Sequence, residues 1–237
     1  MEEKEDLLNL LLNKGALRLA SGTDDIFVLK SGRKSPYFIN IGALTDGESL
    51  SKLKQILARF IASLIKEGKV EDFDFIFGPA YKGINLAALA CEGLAELYGM
   101  NKRYLYDRKE IKDYGDKKAD KVIVGANYFK PGDKILIIDD VITTGKTKVE
   151  AINKLKLLGD HKIVGLVLIV DRQEKMGDAE KVEEKSAVQS IQDEFGVRVF
   201  PLLDIKTMYE LVKDGLSEEM RRCWIEYYEK YGVIKLT

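Results

Sequence analysis

The chain has 237 residues, 46% of them hydrophobic and 32% charged, a balance that fits a soluble globular protein with a sizeable core. Lys+Arg 38 against Asp+Glu 39 leaves a formal net charge of −1, so no global basic field speaks for nucleic acid as a partner. Two cysteines without a Cys-x-x-Cys pair, and a single histidine, His161, argue against a structural zinc site and leave Cys91 and Cys223 as reduced core thiols of a cytoplasmic protein. The start of the chain lacks the layout of a secretory signal, and no stretch approaches the ~20 apolar residues of a membrane span.

In chain order, residues 4–14 read as an amphipathic helix with Leu7, Leu8, Leu11 and Leu12 as its stripe and Gly15 as its stop. Between Ile26 and Asn40 two strand-like runs flank the turn Lys30-Ser31-Gly32-Arg33. It is either a plain hairpin with a basic tip or, with Lys30, Tyr37 and Phe38, a lid for a planar anionic ring. Residues 48–67 carry apolar positions at helical spacing, from Leu50 through Ile65, and Gly68 ends that helix. Phe73 to Phe77 reads as a strand, followed by the turn Gly78–Gly83 and a helix from Ile84 to Tyr98. A strand running through a glycine-bounded turn into a helix start makes an anion cradle, here with Lys82 as its charge. Arg103 to Tyr106 is a strand, and residues 107–118 are a charged stretch containing Arg108, Lys109, Lys112 and Tyr114. That stretch is either a solvated loop or a lid over a site. A short strand at Lys121–Val124 and a turn at Lys130–Asp133 lead into the central motif.

The central motif is Lys134 to Thr147, KILIIDDVITTGKT. Ile135 to Ile138 is a β-branched run of the kind buried in a parallel sheet, and it ends in the acids Asp139 and Asp140. After Val141 and Ile142 comes the turn Thr143-Thr144-Gly145-Lys146-Thr147, and then a helical pattern with Val149, Ile152 and Leu155 inward. Backbone N–H groups, hydroxyls and a helix N-terminus favour a phosphate there. The acids suit sugar hydroxyls or a Mg²⁺ shell beside it. A P-loop is rejected because position 140 is Asp where that motif needs Gly. Together these pieces describe a site for a phosphorylated sugar, and the second cradle suits a ligand with phosphate at both ends.

Ile163 to Val170 is another buried strand, ending at Asp171-Arg172-Gln173-Glu174. Arg172 at a strand's C-terminal end can fork onto a carboxylate, or it can pair with its acidic neighbours. Residues 175–185 read as an exposed insertion, followed by a helix near 186–195, a strand near Val197–Leu203 and two C-terminal helices. Trp224, Tyr227, Tyr228 and Tyr231 read as packing, since no basic stripe interleaves them. Strands alternating with helices predict an α/β fold with a mainly parallel central sheet flanked by helices, one domain over 1–237 with a small hood from about residues 1–45. Its ligand site lies at the C-terminal ends of the strands.

The stretch at 134–147 resembles the phosphoribosyl-pyrophosphate (PRPP) signature of type I phosphoribosyltransferases, and Leu29–Phe38, LKSGRKSPYF, is similar to the N-terminal signature of the orotate phosphoribosyltransferases. Gly78–Gly83, the charged loop and Asp171–Glu174 agree with the same family. The resemblance implies the type I phosphoribosyltransferase fold and a Mg²⁺-dependent reaction of orotate with PRPP to orotidine 5′-monophosphate and pyrophosphate, a step of pyrimidine biosynthesis. It implies a homodimer that shares the 108–118 loop across subunits. By the same resemblance Asp139 and Asp140 hold the ribose hydroxyls, Val141 through Thr147 the 5-phosphate, and Ala80-Tyr81-Lys82 the pyrophosphate. Arg108, Lys109 and Lys112 close over the pyrophosphate. Tyr114 stands where the family usually has His. Lys30 meets both substrates; Phe38, Ile39, Thr143 and Arg172 meet orotate, Arg172 through the carboxylate. The family often has Phe at position 39, where this chain has Ile. Mg²⁺ arrives mainly on PRPP, at most water-bridged to Asp139. The rival readings are a transferase for a purine or uracil, a non-catalytic PRPP sensor, and a fused two-activity protein that also decarboxylates the product.

Overall fold

A computed structural model describes residues 2–110, 118–141 and 146–237, with residues 118 and 146–148 described by their backbone alone. Helix α1 (Glu2–Asn13) buries Leu7, Leu8, Leu10 and Leu11, and Gly15 follows it at φ +65°. Then come β1 (Leu17–Leu19), β2 (Phe27–Val28), β3 (Lys34–Ser35) and β4 (Tyr37–Ile39). Strands β2 and β3 form the expected hairpin around Lys30–Arg33, and Gly32 at φ +76° makes its turn. Strand β4 pairs antiparallel with β1, a strand that periodicity did not predict. Three residues that owe their extension to a partner some twenty positions away leave no periodic signature. The segment expected to form the hood thus divides. Residues 17–39 build the small sheets, whereas α1 packs on the helix that follows and on the last strand of the main sheet.

Helix α2 (Gly47–Lys66) starts on Asp46, whose side chain accepts from Ser49 N, and it buries Leu53, Ile56, Leu57, Ile61 and Leu64. The main sheet begins with β5 (Phe75–Phe77), which runs into α3 (Lys82–Tyr98), closed by Gly99 at φ +67°. Strand β6 (Arg103–Asp107) follows. Residues 121–124 are not the expected strand: α4 (Lys118–Val122) takes the first part and β7 (Ile123–Val124) only the last two residues. Ala119 and Val122 share one face of that helical turn, and both are buried. Strand β8 (Lys134–Val141), α5 (Lys146–Leu155) and β9 (Lys162–Asp171) come next.

Residues 175–185 are exposed at Asp178, Glu180, Lys181 and Glu183–Lys185, as expected of an insertion, but they are not irregular. They form a hairpin of β10 (Lys175–Gly177) and β11 (Val182–Ser186) that docks on the hood turn. Ala179 N donates to Ser31 O at 3.0 Å, and the Arg33 guanidinium donates to the carbonyls of Met176 and Asp178. The chain finishes with α6 (Ala187–Phe195), begun by a Ser186/Gln189 capping box, β12 (Val199–Asp204), α7 (Ile205–Val212) and α8 (Glu218–Tyr231).

The main sheet has the order β12-β9-β8-β5-β6-β7, parallel throughout except for β7 at one edge. Successive side chains of a strand point to opposite faces. Ile76, Leu136, Ile138, Val167 and Ile169 therefore join one apolar layer with α1, α2, α3, α7 and α8. Phe75, Phe77, Ile135, Ile137, Leu166 and Leu168 join another with α4, α5 and α6. Burial on both faces is why these strands read as continuous apolar runs. Both cysteines are free thiols, Cys91 buried and Cys223 half-buried. Among the described residues no helix is long and apolar enough to cross a membrane.

Candidate active site

Parallel pairing puts the C-terminal ends of β5, β6, β8, β9 and β12 at one edge of the sheet, and the polar residues singled out in the sequence collect there. Asp139 and Asp140 end β8 and are buried. Asp139 Oδ1 accepts from Asp140 N at 2.8 Å. Asp140 Oδ2 lies 2.8 Å from Lys82 Nζ, which arrives from the turn after the neighbouring strand β5. The acid pair and the second cradle, read separately in the sequence, are thus one cluster.

The β5 turn is forced tight by its glycines. A Cβ on Gly78 would stand 2.0 Å from Gly83 O, and one on Gly83 would stand 2.8 Å from Pro79 Cδ and 2.9 Å from Gly78 C. The peptide between Ala80 and Tyr81 is cis. Tyr81 itself is 71% exposed, and Lys109 Nζ sits 5.6 Å from the centre of its ring. Ala80 N donates to Asp107 Oδ1 at 2.7 Å. The other oxygen of Asp107 accepts from Lys154 Nζ, which also donates to Arg108 O at 3.3 Å. A buried carboxylate at the end of β6 thereby ties the β5 turn to α5, the helix that follows the Thr/Gly turn. The half-buried Arg108 and the exposed Lys109 continue from the same strand end.

Val141 is half-buried at the end of β8, and α5 opens at Lys146, so the backbone of Lys146 and Thr147, expected in the turn, already belongs to the helix. Ile142, Thr143, Thr144 and Gly145, and Lys112 and Tyr114 of the charged loop, lie outside the described residues.

At the hood, Lys30 is exposed at the tip of the β2–β3 turn. The Phe38 ring lies 5.9 Å from that of Phe27, and the Arg18 guanidinium stands 5.0 Å from Phe38 and 5.1 Å from Phe27. Ile39 points the other way, half-buried against the core, beside the fully buried Tyr37. Arg172 extends from the end of β9 and makes the acidic pairing weighed for it in the sequence: its Nη2 is 2.6 Å from Glu174 Oε1, and its Nε donates to Tyr37 Oη at 3.3 Å. The main chain at this point is fixed by Tyr228 Oη, which donates to Arg172 O at 2.8 Å. Burial weighs against the charge of Arg172, but Tyr37 and Glu174 outweigh it and raise its pKa. Burial also raises the pKa of Tyr37, Tyr227 and Tyr228, so their hydroxyls stay protonated donors.

Sequence reading missed Asp107 and Lys154, and it took Tyr227 and Tyr228 as packing alone. Both tyrosines are buried, yet Tyr227 Oη donates to Glu174 Oε1 at 3.1 Å. Glu174 stands two positions from Arg172 in the sequence, and that proximity was the available signal.

Oxygen donors from paired carboxylates are the type Mg²⁺ accepts, so Asp139 and Asp140 fit such an ion. Among the described residues no group of three or more His, Cys, Asp and Glu is placed to hold a metal.

A parallel sheet with a buried acid pair, a lysine-bearing glycine turn and a polar strand edge defines a phosphoribosyltransferase, and the phosphoribosyl transferase domain family matches residues 47–203. An orotate phosphoribosyltransferase of Bifidobacterium adolescentis is 40% identical over 87% of this chain and 90% of its own. One of Clostridium acetobutylicum is 33% identical over 97% of this chain and 98% of its own. The crystal structure of the Francisella tularensis orotate phosphoribosyltransferase superposes with a TM-score of 0.76 at 36% identity, covering 95% of this chain and 98% of that one. The chain belongs to the orotate phosphoribosyltransferase family.

Proposed function

We propose that the chain transfers the 5-phosphoribosyl group of PRPP to orotate, giving orotidine 5′-monophosphate and pyrophosphate in pyrimidine biosynthesis. The observation that carries this reading is the buried Asp139–Asp140 pair held 2.8 Å from Lys82, joining an acid site to an anion cradle on adjacent strands. The bond from ribose C1 to the pyrophosphate oxygen breaks, a bond from C1 to an orotate ring nitrogen forms, and the proton of that nitrogen passes to the departing pyrophosphate or to water. Asp139 and Asp140 hold the ribose 2- and 3-hydroxyls, and their negative charge favours the cationic sugar of the transition state. Lys82 and Lys109, with Arg108 and Lys112, offset the charge growing on the pyrophosphate. Lys82 must exchange Asp140 for a phosphate oxygen as PRPP binds; its half-exposed side chain permits that movement. Mg²⁺, when bound beside the acid pair, neutralises pyrophosphate charge.

Residues 141–147 take the 5-phosphate at the start of α5. Arg172 takes the orotate carboxylate, Lys30 reaches the substrates from the hood turn, and Thr143 with the backbone at Phe38 and Ile39 lines the ring. The working form is a cytoplasmic homodimer with the 108–118 loop crossing to the neighbouring active site, and Tyr114 sits on that loop. Loss of orotate absorbance with PRPP and Mg²⁺, beside parallel reactions with uracil, adenine and hypoxanthine, tests the assignment. Consumption of orotate alone, dependent on PRPP, is expected. Turnover of a base that lacks a carboxylate in preference to orotate would overturn it.

A further inference from the structure

The carboxylate of Glu174 takes four side-chain donors. Its Oε1 accepts from Arg172 Nη2 at 2.6 Å, Tyr37 Oη at 2.7 Å and Tyr227 Oη at 3.1 Å, and its Oε2 accepts from Arg33 Nη1 at 3.2 Å. All five side chains are buried or nearly so. Arg33 comes from the hood turn that carries Lys30, and its remaining nitrogens are held by the carbonyls of Asp178 and Met176 in the β10–β11 hairpin. The Arg33 guanidinium also lies 4.6 Å from the centre of the Tyr231 ring. One carboxylate therefore joins the end of β9, the hood turn and the C-terminal helix.

The way Arg172 is held matters chemically. A guanidinium presents two forks, a side edge of Nε with one Nη and an end edge of both Nη atoms. Here the side edge is occupied, by Tyr37 at Nε and by Glu174 at Nη2. Among the described residues no hydrogen bond is made by Nη1, so the end edge is the one left for a ligand.

We propose that Glu174 is a positioning residue for base selection: with Tyr37 it fixes the side edge of Arg172 so that the end edge meets the carboxylate of the acceptor base, and through Arg33 it holds the hood turn over the same base. This rests on the assignment of orotate as acceptor and of its carboxylate to Arg172. A guanidinium held in advance loses less freedom on binding than one that must find its geometry. Selectivity for a carboxylated base over uracil then depends on a residue that does not touch the base.

The test is steady-state kinetics on Glu174→Gln and Tyr37→Phe, with Arg172→Lys as reference. Glu174→Gln keeps the shape but sets an amide donor against one of the two arginines. It should raise the KM for orotate by about ten-fold, the scale of a lost charge-assisted hydrogen bond, with the KM for PRPP unchanged. Tyr37→Phe removes one hydroxyl and keeps the ring, and should raise the orotate KM by roughly three-fold. In both, the preference for orotate over uracil should fall. If Arg172→Lys leaves the orotate KM untouched, the assignment of Arg172 fails. If Arg172→Lys raises it and both other variants do not, the positioning role fails while that assignment stands. Equal rises in the KM values for orotate and PRPP, following the loss of Tm, would mark Glu174 as structural only and also overturn the proposal. If Glu174→Gln does not fold, Tyr37→Phe decides alone.

Discussion

Replacing Asp107 by Ala isolates the link between the β5 turn and α5. Asp107 is buried, accepts from Ala80 N at 2.7 Å and pairs with Lys154 of α5. Without the carboxylate, the N–H of Ala80 is left without its partner inside the β5 turn, and a charge-assisted hydrogen bond of this kind contributes about 1.5–3 kcal/mol. The Lys154 ion pair is 30% exposed on the lysine side, and solvent screening holds it to roughly 0.5–1 kcal/mol. The sum of about 3 kcal/mol should lower Tm by roughly 6–12 °C in a chain of this size. Asp107→Asn keeps an acceptor for Ala80 and loses only the ion pair, so its Tm should fall by roughly 1–4 °C. If the β5 turn takes the pyrophosphate, as proposed, Asp107→Ala should also raise the KM for PRPP more than that for orotate. Circular-dichroism melts and steady-state assays measure both. An Asp107→Ala variant with Tm within about 2 °C of the parent and an unchanged PRPP KM would refute the clamp.

Two further substitutions probe the same architecture from other sides. Gly83→Ala puts a Cβ within 2.9 Å of the backbone of Gly78, an overpacking worth about 1–3 kcal/mol that should also abolish turnover with PRPP. Gly47→Ala, at a position open to solvent in the first turn of α2, should melt no lower than the parent in the same circular-dichroism melts. At the N-cap of α2, the backbone bond from Ser49 is the largest cause lowering the Asp46 pKa to about 2. A folded pKa below the unfolded value of about 3.9 means that the contribution is present above that value and lost as pH falls toward 2. The Tm gap between the parent and Asp46→Ala, plain at pH 6, should therefore close between pH 4 and pH 2 in melts run across that range.

What the sequence disclosed follows from how local each signal is. The β8 run and its acid pair were legible because a strand buried on both faces must be continuously apolar and must end where polar groups begin. Helix α2 was legible because a one-sided helix repeats its apolar positions. Strand β1 and the β10–β11 hairpin were not, since Leu17–Leu19 and Lys175–Ser186 are short or charged and gain their order from distant partners, β4 and the hood turn. The strand expected at 121–124 failed for a related reason: its first two residues serve a helical turn whose buried face is Ala119 and Val122. In the site, the Asp139–Asp140 pair could be read from a motif, whereas Asp107 and Glu174 could not be ranked above other acids. Their importance lies in which groups meet them, and Tyr37 is 137 positions from Glu174. The outward packing of Phe38 with Arg18 and Phe27 was hidden for the same reason, since it depends on the β1–β4 register.

The placement of α8 has a consequence for the growing chain. Trp224 stacks on Tyr37 at 4.8 Å, Tyr228 bonds Tyr37 and the carbonyl of Arg172, and Tyr231 covers Arg33. The groups proposed for the phosphates lie within residues 78–147, but those proposed for the base run from Lys30 near the start of the chain to Arg172, which is braced by Tyr228 near its end. Emerging from the ribosome in order, the chain holds every group proposed to touch PRPP well before it can brace Tyr37 and Arg172. Contacts of such long sequence separation form only after the intervening loop closes. A nascent chain stalled before Trp224 would thus be half an enzyme in a specific sense, with its sugar-phosphate groups already synthesised and its choice of base not yet built.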